Sequence, residues 1–463
     1  MSSVPRSLPR WSVAPFLLGA ALSPTSARAQ APSPTPTPPR LPFQDELDLQ
    51  TNAAVVQGSG ARAFGMGGAF LARADDATAA SWNPAGLSYL RHPEVTFVMV
   101  SGRLGDEKTG TDGSLAENDQ RHGTAPDFAA LTYPFSLGST SGAAQLSFQR
   151  LLSFDSSRTI TEPDRTRRID SNGGFDVLAL GSGWQVTRGL RVGATLNRWL
   201  NGYDQRIDVP EPRAVPTRQN SDFRISGWNV NVGVIWSPWE SLNLGAVFKT
   251  GLTADASLQR SRVDFFTSEV DGTKIQTTNA YGRDDLTIRI PASAGVGASW
   301  RPRSNLTLSL DYTQARWSTG EIRNFFTLPR TEPDQPPPIP KPPNDFFPLL
   351  PYPTLNDIHQ QDTSQLRVGA EYVVIKNRLR WPIRAGYFTD GQYFRAATGE
   401  APTFHAFTVG TGLIVGPILL DVAYLHEKGS YLSVDPVDGN ILGNDVKASR
   451  LYVSVIYRHP RRP

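Results

Sequence analysis

Residues 58–90 read GSGARAFGMGGAFLARADDATAASWNPAGLSYL. Glycine and alanine dominate the stretch, it closes on a Trp82-Asn83-Pro84-Ala85-Gly86 turn, and it runs straight into a long series of alternating apolar and polar segments. A stretch so poor in bulk can lie against other backbone, because glycine permits close approach and unusual φ. We read it as a plug and the rest of the chain as the membrane barrel it fills. Within it, Asp75 or Asp76 is a candidate N-cap for a short helix from Ala77 to Trp82, since aspartate accepts from the orphan amides of a first turn. Pro84 ends that helix and Gly86 permits a tight turn. Gly65, Gly67 and Gly68 are expected to give close packing, and Asn83, Pro84 and Gly86 to shape the turn.

From Pro93 onward the periodicity becomes two. Leu306, Leu308, Leu310 and Tyr312 alternate with Thr307, Ser309 and Asp311; Leu366, Val368, Ala370, Tyr372 and Val374 alternate with Gln365, Arg367, Gly369 and Glu371. Successive strand side chains point to opposite faces, so each segment has one greasy and one polar face. About fourteen such segments can be counted between Pro93 and Tyr457, several long enough for a tilted strand to cross a bilayer. The connections alternate too. SLGSTS, TRG, SPWE, RPRS, IKNR and VGP are short, whereas those around Asp106–Thr124, Ser153–Asn172, Gly202–Asp222, Gly251–Arg283, Ser318–Ser364, Asp390–Thr403 and Glu427–Ser449 are long. Short turns at one end and long loops at the other mark outer-membrane barrels. Trp228 and Trp236 share a face with Val230, Val232 and Val234, as girdle residues would; the same rings could instead fill the core of a soluble sandwich.

Composition fits. The 463 residues contain no cysteine, which excludes a disulfide framework and a thiolate metal site, and 40 glycines and 38 prolines suit many turns. No apolar run approaches the roughly 20 residues of a spanning helix. The net charge of +3 is spread along the chain and argues against nucleic-acid binding. At the amino terminus, Arg6 and Arg10 precede an apolar stretch from Trp11 to Leu22, and Ala27-Arg28-Ala29 fits a cleavage site, so residues 1–29 read as a signal peptide. A proline-rich periplasmic linker (30–43) follows. We then expect a hatch at 44–91, a barrel at 92–458 and a tail at 459–463.

GARAFGMGGAFLARADDATAASWNPAGL (60–87) resembles the amino-terminal hatch of the FadL-type outer-membrane transporters of long-chain fatty acids and other hydrophobic compounds. IPASAGVGASWRPRSNLTLSLDYTQARW (290–317) and RVGAEYVVIKNRLRWPIRAGYF (367–388) look like later barrel hairpins of that family. The resemblance, spanning Gly58 to Tyr457, implies an all-β, fourteen-stranded transmembrane antiparallel barrel in the outer membrane with the hatch in its lumen. It implies passive uptake of a hydrophobic small molecule or fatty acid, captured by outer loops and released as the hatch rearranges. Phe64, Phe70 and Trp82 are candidate pocket residues, or else pack against the wall. Phe346, Phe347 and Leu349, in the greasy part of the Ser318–Ser364 loop, are candidate capture residues, or part of a lid. Outer-membrane lipid, lipopolysaccharide and the barrel-insertion machinery are the implied partners. In the family a kink in the third strand opens the wall; here Gly142–Leu152 has no glycine or proline in its middle. Tyr457 would be the terminal aromatic, yet RHPRRP follows it.

Related barrels that serve secretion or surface assembly share very similar Gly-Met-Gly-Gly-Ala and Asn-Pro-Ala-Gly sequences, so a non-transporting scaffold is the rival reading. Enzymatic chemistry is not expected: the formal G-x-G-x-x-A at Gly58–Ala63 lacks a βαβ context, the six histidines have no metal-ligand spacing, and neither cofactor nor metal is called for.

Overall fold

Among the described residues, eighteen strand segments join in one antiparallel sheet whose first and last members pair, so the sheet closes on itself. The computed structural model describes residues 58–138, 140–161, 166–209, 217–267, 274–325, 361–376, 379–434 and 440–460. The expected signal peptide, the linker, residues 44–57 of the hatch, and Phe346, Phe347 and Leu349 lie outside the described residues.

The segments make fourteen barrel strands, four of them split. They are β1 (Glu94–Gly110), β2 (Leu115–Leu137), β3 (Thr140–Ser153, then Ser156–Thr161), β4 (Thr166–Gln185), β5 (Leu190–Val209) and β6 (Thr217–Trp239). Next come β7 (Leu242–Lys249, then Leu252–Thr267), β8 (Lys274–Ile290, then Ser293–Arg303) and β9 (Leu306–Ala315, then Glu321–Phe325). β10 (Thr363–Lys376), β11 (Leu379–Gly391), β12 (Thr403–Val415), β13 (Ile418–Val434) and β14 (Ile441–Arg458) complete the wall. β1 zips to β14 from Glu94 opposite Arg458 to Gly110 opposite Leu442. A fourteen-stranded all-β barrel is what the dyad pattern predicts.

Which face is greasy decides the medium. Along β6, Trp228, Val230, Val232, Val234 and Trp236 all point outward and are exposed, as are Leu178 and Leu180 on β4 and Leu308, Leu310 and Tyr312 on β9. The polar partners face inward and are buried: Thr195 and Asn197 on β5, Asn231 on β6, and Thr307, Ser309, Asp311 and Thr313 on β9. A belt of exposed leucine and valine on strand after strand is favourable only against hydrocarbon. The two tryptophans therefore sit on the outer surface and not in a sandwich core.

The strands run further than expected. β2 and β6 have 23 residues each, against the roughly 10 a tilted strand needs to cross a bilayer. Most of the expected loop Asp106–Thr124 is strand around the turn at 111–114, and the expected loops 153–172, 202–222, 251–283 and 427–449 are likewise mostly strand. The reason is a change of solvent. Beyond the greasy belt the outer face turns polar while backbone pairing continues, so the apolar alternation that marks a strand in lipid fades from the sequence.

In this upper tier the amphipathicity is reversed. On β4, Ile169 and Phe175 are buried inside while Arg168 and Asp170 pair outside at 3.1 Å. Phe154, Phe175, Trp199, Tyr203, Phe223, Leu258 and Ile288 form one buried apolar cluster within the β3–β8 half. Outside it, Arg218 meets Asp208 at 2.9 Å and Arg224 meets Asp204 at 3.0 Å.

Candidate functional site

The hatch threads the lower tier as α1 (Ala61–Gly65), α2 (Ala79–Trp82) and a 3₁₀ turn (Pro84–Tyr89). Its residues are nearly all buried. The expected helix start moves: α2 begins at Ala79 behind Thr78, with no side-chain cap. Asp76 instead accepts from the Thr78 amide (2.8 Å) and hydroxyl (2.6 Å), closing a turn ahead of the helix. Asp75 turns away to Arg62 (2.7 Å) and Arg73 (3.7 Å). Neither aspartate is the N-cap, because Thr78 and the two arginines offer them better partners. Burial pushes the Asp76 carboxyl up from its ordinary range, and Arg62 and Thr78 draw it part of the way back. For Arg62, burial works to lower the affinity for its proton, but Asp75, Glu371 and Asp76 outweigh it and hold the guanidinium charged.

Gly67 and Gly68 have φ of 65° and 70°, the left-handed region glycine favours. Gly65 lies against the backbone of Gly410, and a Cβ on Gly67 would come within 2.8 Å of the Tyr387 nitrogen. Gly86 is pressed on the Ala74 carbonyl. Pro84 opens the 3₁₀ turn, and Asn83 caps it by accepting from the Ala85 amide at 3.1 Å. The Asn83 amide also donates to Leu71 O (2.9 Å) and to wall carbonyls of Val234 (3.1 Å) and Ala246 (3.3 Å), so one side chain ties hatch to barrel.

Two kinds of seat hold the hatch. On the β4–β7 side the wall offers glycines: a Cβ on Gly233 would meet Pro84 Cδ at 2.9 Å, and Gly193 lies against the Pro84 carbonyl. On the β9–β13 side Gly369, Gly386 and Gly410 lie against Met66, Gly67 and Gly65, and the wall adds charge. Asp311 accepts from the amides of Phe70 (2.6 Å) and Leu71 (2.8 Å). Glu371, buried on β10, receives Arg73 (2.5 Å) and Arg62 (3.4 Å) from the hatch and Arg384 (2.7 Å) from β11; Arg384 also reaches Asp421 at 2.6 Å. These wall residues escaped the sequence reading, although its own alternation put Arg367, Gly369 and Glu371 on the polar face. Ions and glycines at lipid depth on an inward face signal a filled lumen.

Phe64, Phe70 and Trp82 pack on one another. Trp82 lies 5.8 Å from Phe64 and 6.2 Å from Phe70, and Phe64 stacks on Tyr452 at 4.1 Å, with almost no surface left open. Between hatch and wall, a cavity of about 40 Å³ is lined by Ala80, Ser81, Val177, Trp199, Lys249 and Ile290, among others. Lys249 donates to Ser81 O at 3.2 Å.

The third strand is broken, at Phe154 and Asp155, just past the segment the sequence reading weighed and without glycine or proline. Phe154 swings into the apolar cluster, 4.5 Å from Tyr203, while Arg150 binds Asp155 and, at 2.8 Å, Asp176. The β2 ladder to β3 stops at Phe128 opposite Gln149 and resumes at His122 opposite Ser157. Against this gap lies a cavity of about 130 Å³ with a mixed lining that includes Asp127, Arg150, Asp155 and Arg450 beside Val100, Leu104 and Leu152. Ser59 of the hatch donates to Asp127 at its rim.

A closed fourteen-stranded barrel filled by an amino-terminal hatch is the FadL fold. A Pseudomonas aeruginosa FadL homologue matches at 13% identity over 87% of this chain and 99% of its own, with a TM-score of 0.57. The Pseudomonas putida toluene transporter TodX matches at 13% identity over 88% and 100% (TM-score 0.56), and the Ralstonia pickettii toluene transporter TbuX at 14% over 88% and 99% (TM-score 0.53). No curated protein matches the sequence. The BamG family model covers residues 58–330, and the chain belongs to the BamG family.

Proposed function

We propose that this chain is exported to the outer membrane, sits there as a barrel kept shut by its own hatch, and serves the assembly of other outer-membrane proteins as a partner of the barrel-assembly machinery. The supporting observation is how tightly the bore is filled. The cavity between hatch and wall, about 40 Å³, is well below the roughly 150 Å³ that houses a benzene, and Phe64, Phe70 and Trp82 spend their surfaces on one another. The BamG family's Bam designation supports the same reading. Strands that continue past the greasy belt carry a polar rim on which a partner can rest. The test is depletion of the protein: folded outer-membrane proteins should fall together, and a barrel-assembly component should co-purify with the wild-type chain. An unchanged outer-membrane proteome after deletion defeats this reading.

One observation favours a second function, passive uptake of fatty acids or other hydrophobic compounds. The wall is interrupted at Phe154–Asp155 beside a cavity of about 130 Å³, and the fold is that of the toluene transporters TodX and TbuX. On this reading Phe64, Phe70 and Trp82, with Phe346, Phe347 and Leu349, would contact the solute while the hatch shifts. Uptake of labelled oleate and toluene by a deletion strain separates the two functions: slowed entry with a normal proteome selects transport.

A further inference from the structure

The contacts between hatch and wall are lopsided. Towards β4–β7 they consist of backbone packed on glycine and a few hydrogen bonds, whereas towards β10–β13 the same glycine packing, at Gly369, Gly386 and Gly410, is joined by ion pairs. There, three guanidiniums converge on Glu371, two from the hatch and one from the wall, and Asp75, Asp76 and Asp421 complete the group. Glu371 and Arg384 are each 4% exposed at the side chain. A carboxylate at this depth is tolerated because its partners are there, and the partners because it is. Losing it breaks the ion pairs that join hatch to wall and leaves Arg73 only its 3.7 Å contact with Asp75, while Arg62 keeps Asp75 and Arg384 keeps Asp421. Glycine seats have no comparable grip: they fix shape, and the charged group they leave on that side, Lys249, is held to the hatch by a single hydrogen bond to Ser81 O rather than by an ion pair.

We propose that Glu371 is the anchor that keeps the hatch in the bore, and that without it the hatch lifts from its remaining seats, those on β4–β7 included. This concerns closure alone and holds whichever function the barrel serves.

The experiment is made clean by the absence of cysteine from the chain. A Cβ added at Gly181 on β4 would stand 3.7 Å from the Ala80 Cβ in α2, within the roughly 3.5–4.5 Å that a disulfide spans. Ala80→Cys with Gly181→Cys therefore staples the hatch to β4 and stands in for the lost anchor. Purified full-length barrels are recorded in planar bilayers, with heat-modifiable migration reporting that each is folded. Glu371→Gln should raise the open-state population on the order of a hundred-fold, as expected when a buried ion-pair network loses its shared partner. In the triple variant the oxidised staple should restore the closed level, and reduction should bring the leak back. Arg73→Gln, which leaves the Glu371–Arg384 wall pair in place, should give a smaller leak curable by the same staple and stands in if Glu371→Gln yields no folded barrel. A folded Glu371→Gln or, in its stead, Arg73→Gln barrel that stays closed overturns the proposal. So does a leak that the oxidised staple leaves unchanged, because the opening would then lie elsewhere.

Discussion

The two tiers of this barrel obey opposite rules, though the same strands run through both. On β4, Leu178 and Leu180 face out below and Arg168 and Asp170 face out above; inside, Ile169 and Phe175 fill the upper tier, whereas at hatch level β4 turns Gly181 and Gly183 towards Ala80, Leu87 and Pro84. Below, the barrel excludes lipid with its outer skin and must fill a polar lumen with a hatch. Above, it stands in water and buries its own apolar side chains as any soluble sheet does. Strand amphipathicity thus reports the solvent outside, and the break in β3 falls where the solvent changes.

Deleting Gln44 to Leu90 bears hardest on this contrast. It should open the bore, sensitise cells to bulky antibiotics and leave conductance through the half of the barrel that the upper apolar cluster does not occupy. Unchanged permeability would mean that the upper tier seals the lumen unaided. Next is Phe223→Ala. Phe223 is fully buried between Tyr203 (5.4 Å) and Phe175 (5.7 Å), so truncation should cost about 3–5 kcal/mol, read by denaturant unfolding in micelles. A loss below about 1 kcal/mol would show that the cluster is loose rather than a packed core. Leu180→Arg should cost about 2–4 kcal/mol as a charge on the lipid face, although Arg168 stands on the same side of the same strand twelve residues earlier. Equal tolerance at both sites would erase the tier boundary. Smallest is Arg224→Ala, whose half-exposed pairs with Asp204 and Asp222 should contribute less than about 1 kcal/mol; a larger value would place that rim in a drier setting.

The lower tier was legible because lipid forces a strict code. Leu306 through Asp311 could be read as a strand from letters alone, and both girdle tryptophans point where that code puts them. The upper tier was not: Phe154 sits in the break of β3, Phe175 on β4, Trp199 and Tyr203 on β5 and Phe223 on β6, and only strand pairing brings them together. The hatch divides the same way. Its glycines and the Asn83-Pro84-Ala85-Gly86 turn are local signals, whereas the partners of Asp75 and Asp76 are chosen by tertiary neighbours. Glu371 was visible as a polar-face residue, but nothing near it in the chain announces Arg62, more than three hundred residues away. The break in β3 carries no mark at all, since Phe154 and Asp155 bend there for the sake of a ring buried against Phe175 and Tyr203 and a salt bridge to Arg150.

Only Leu90 to Pro93 separates the hatch from β1, and β1 is knitted to β14, the last strand synthesised, by seventeen consecutive residue pairs. The cork is therefore made before the bottle. During assembly, a segment whose Arg62 and Arg73 seat on the buried Glu371 meets its partners most readily before that seam is zipped, so residues 58–90 serve as the former around which the final staves are drawn shut.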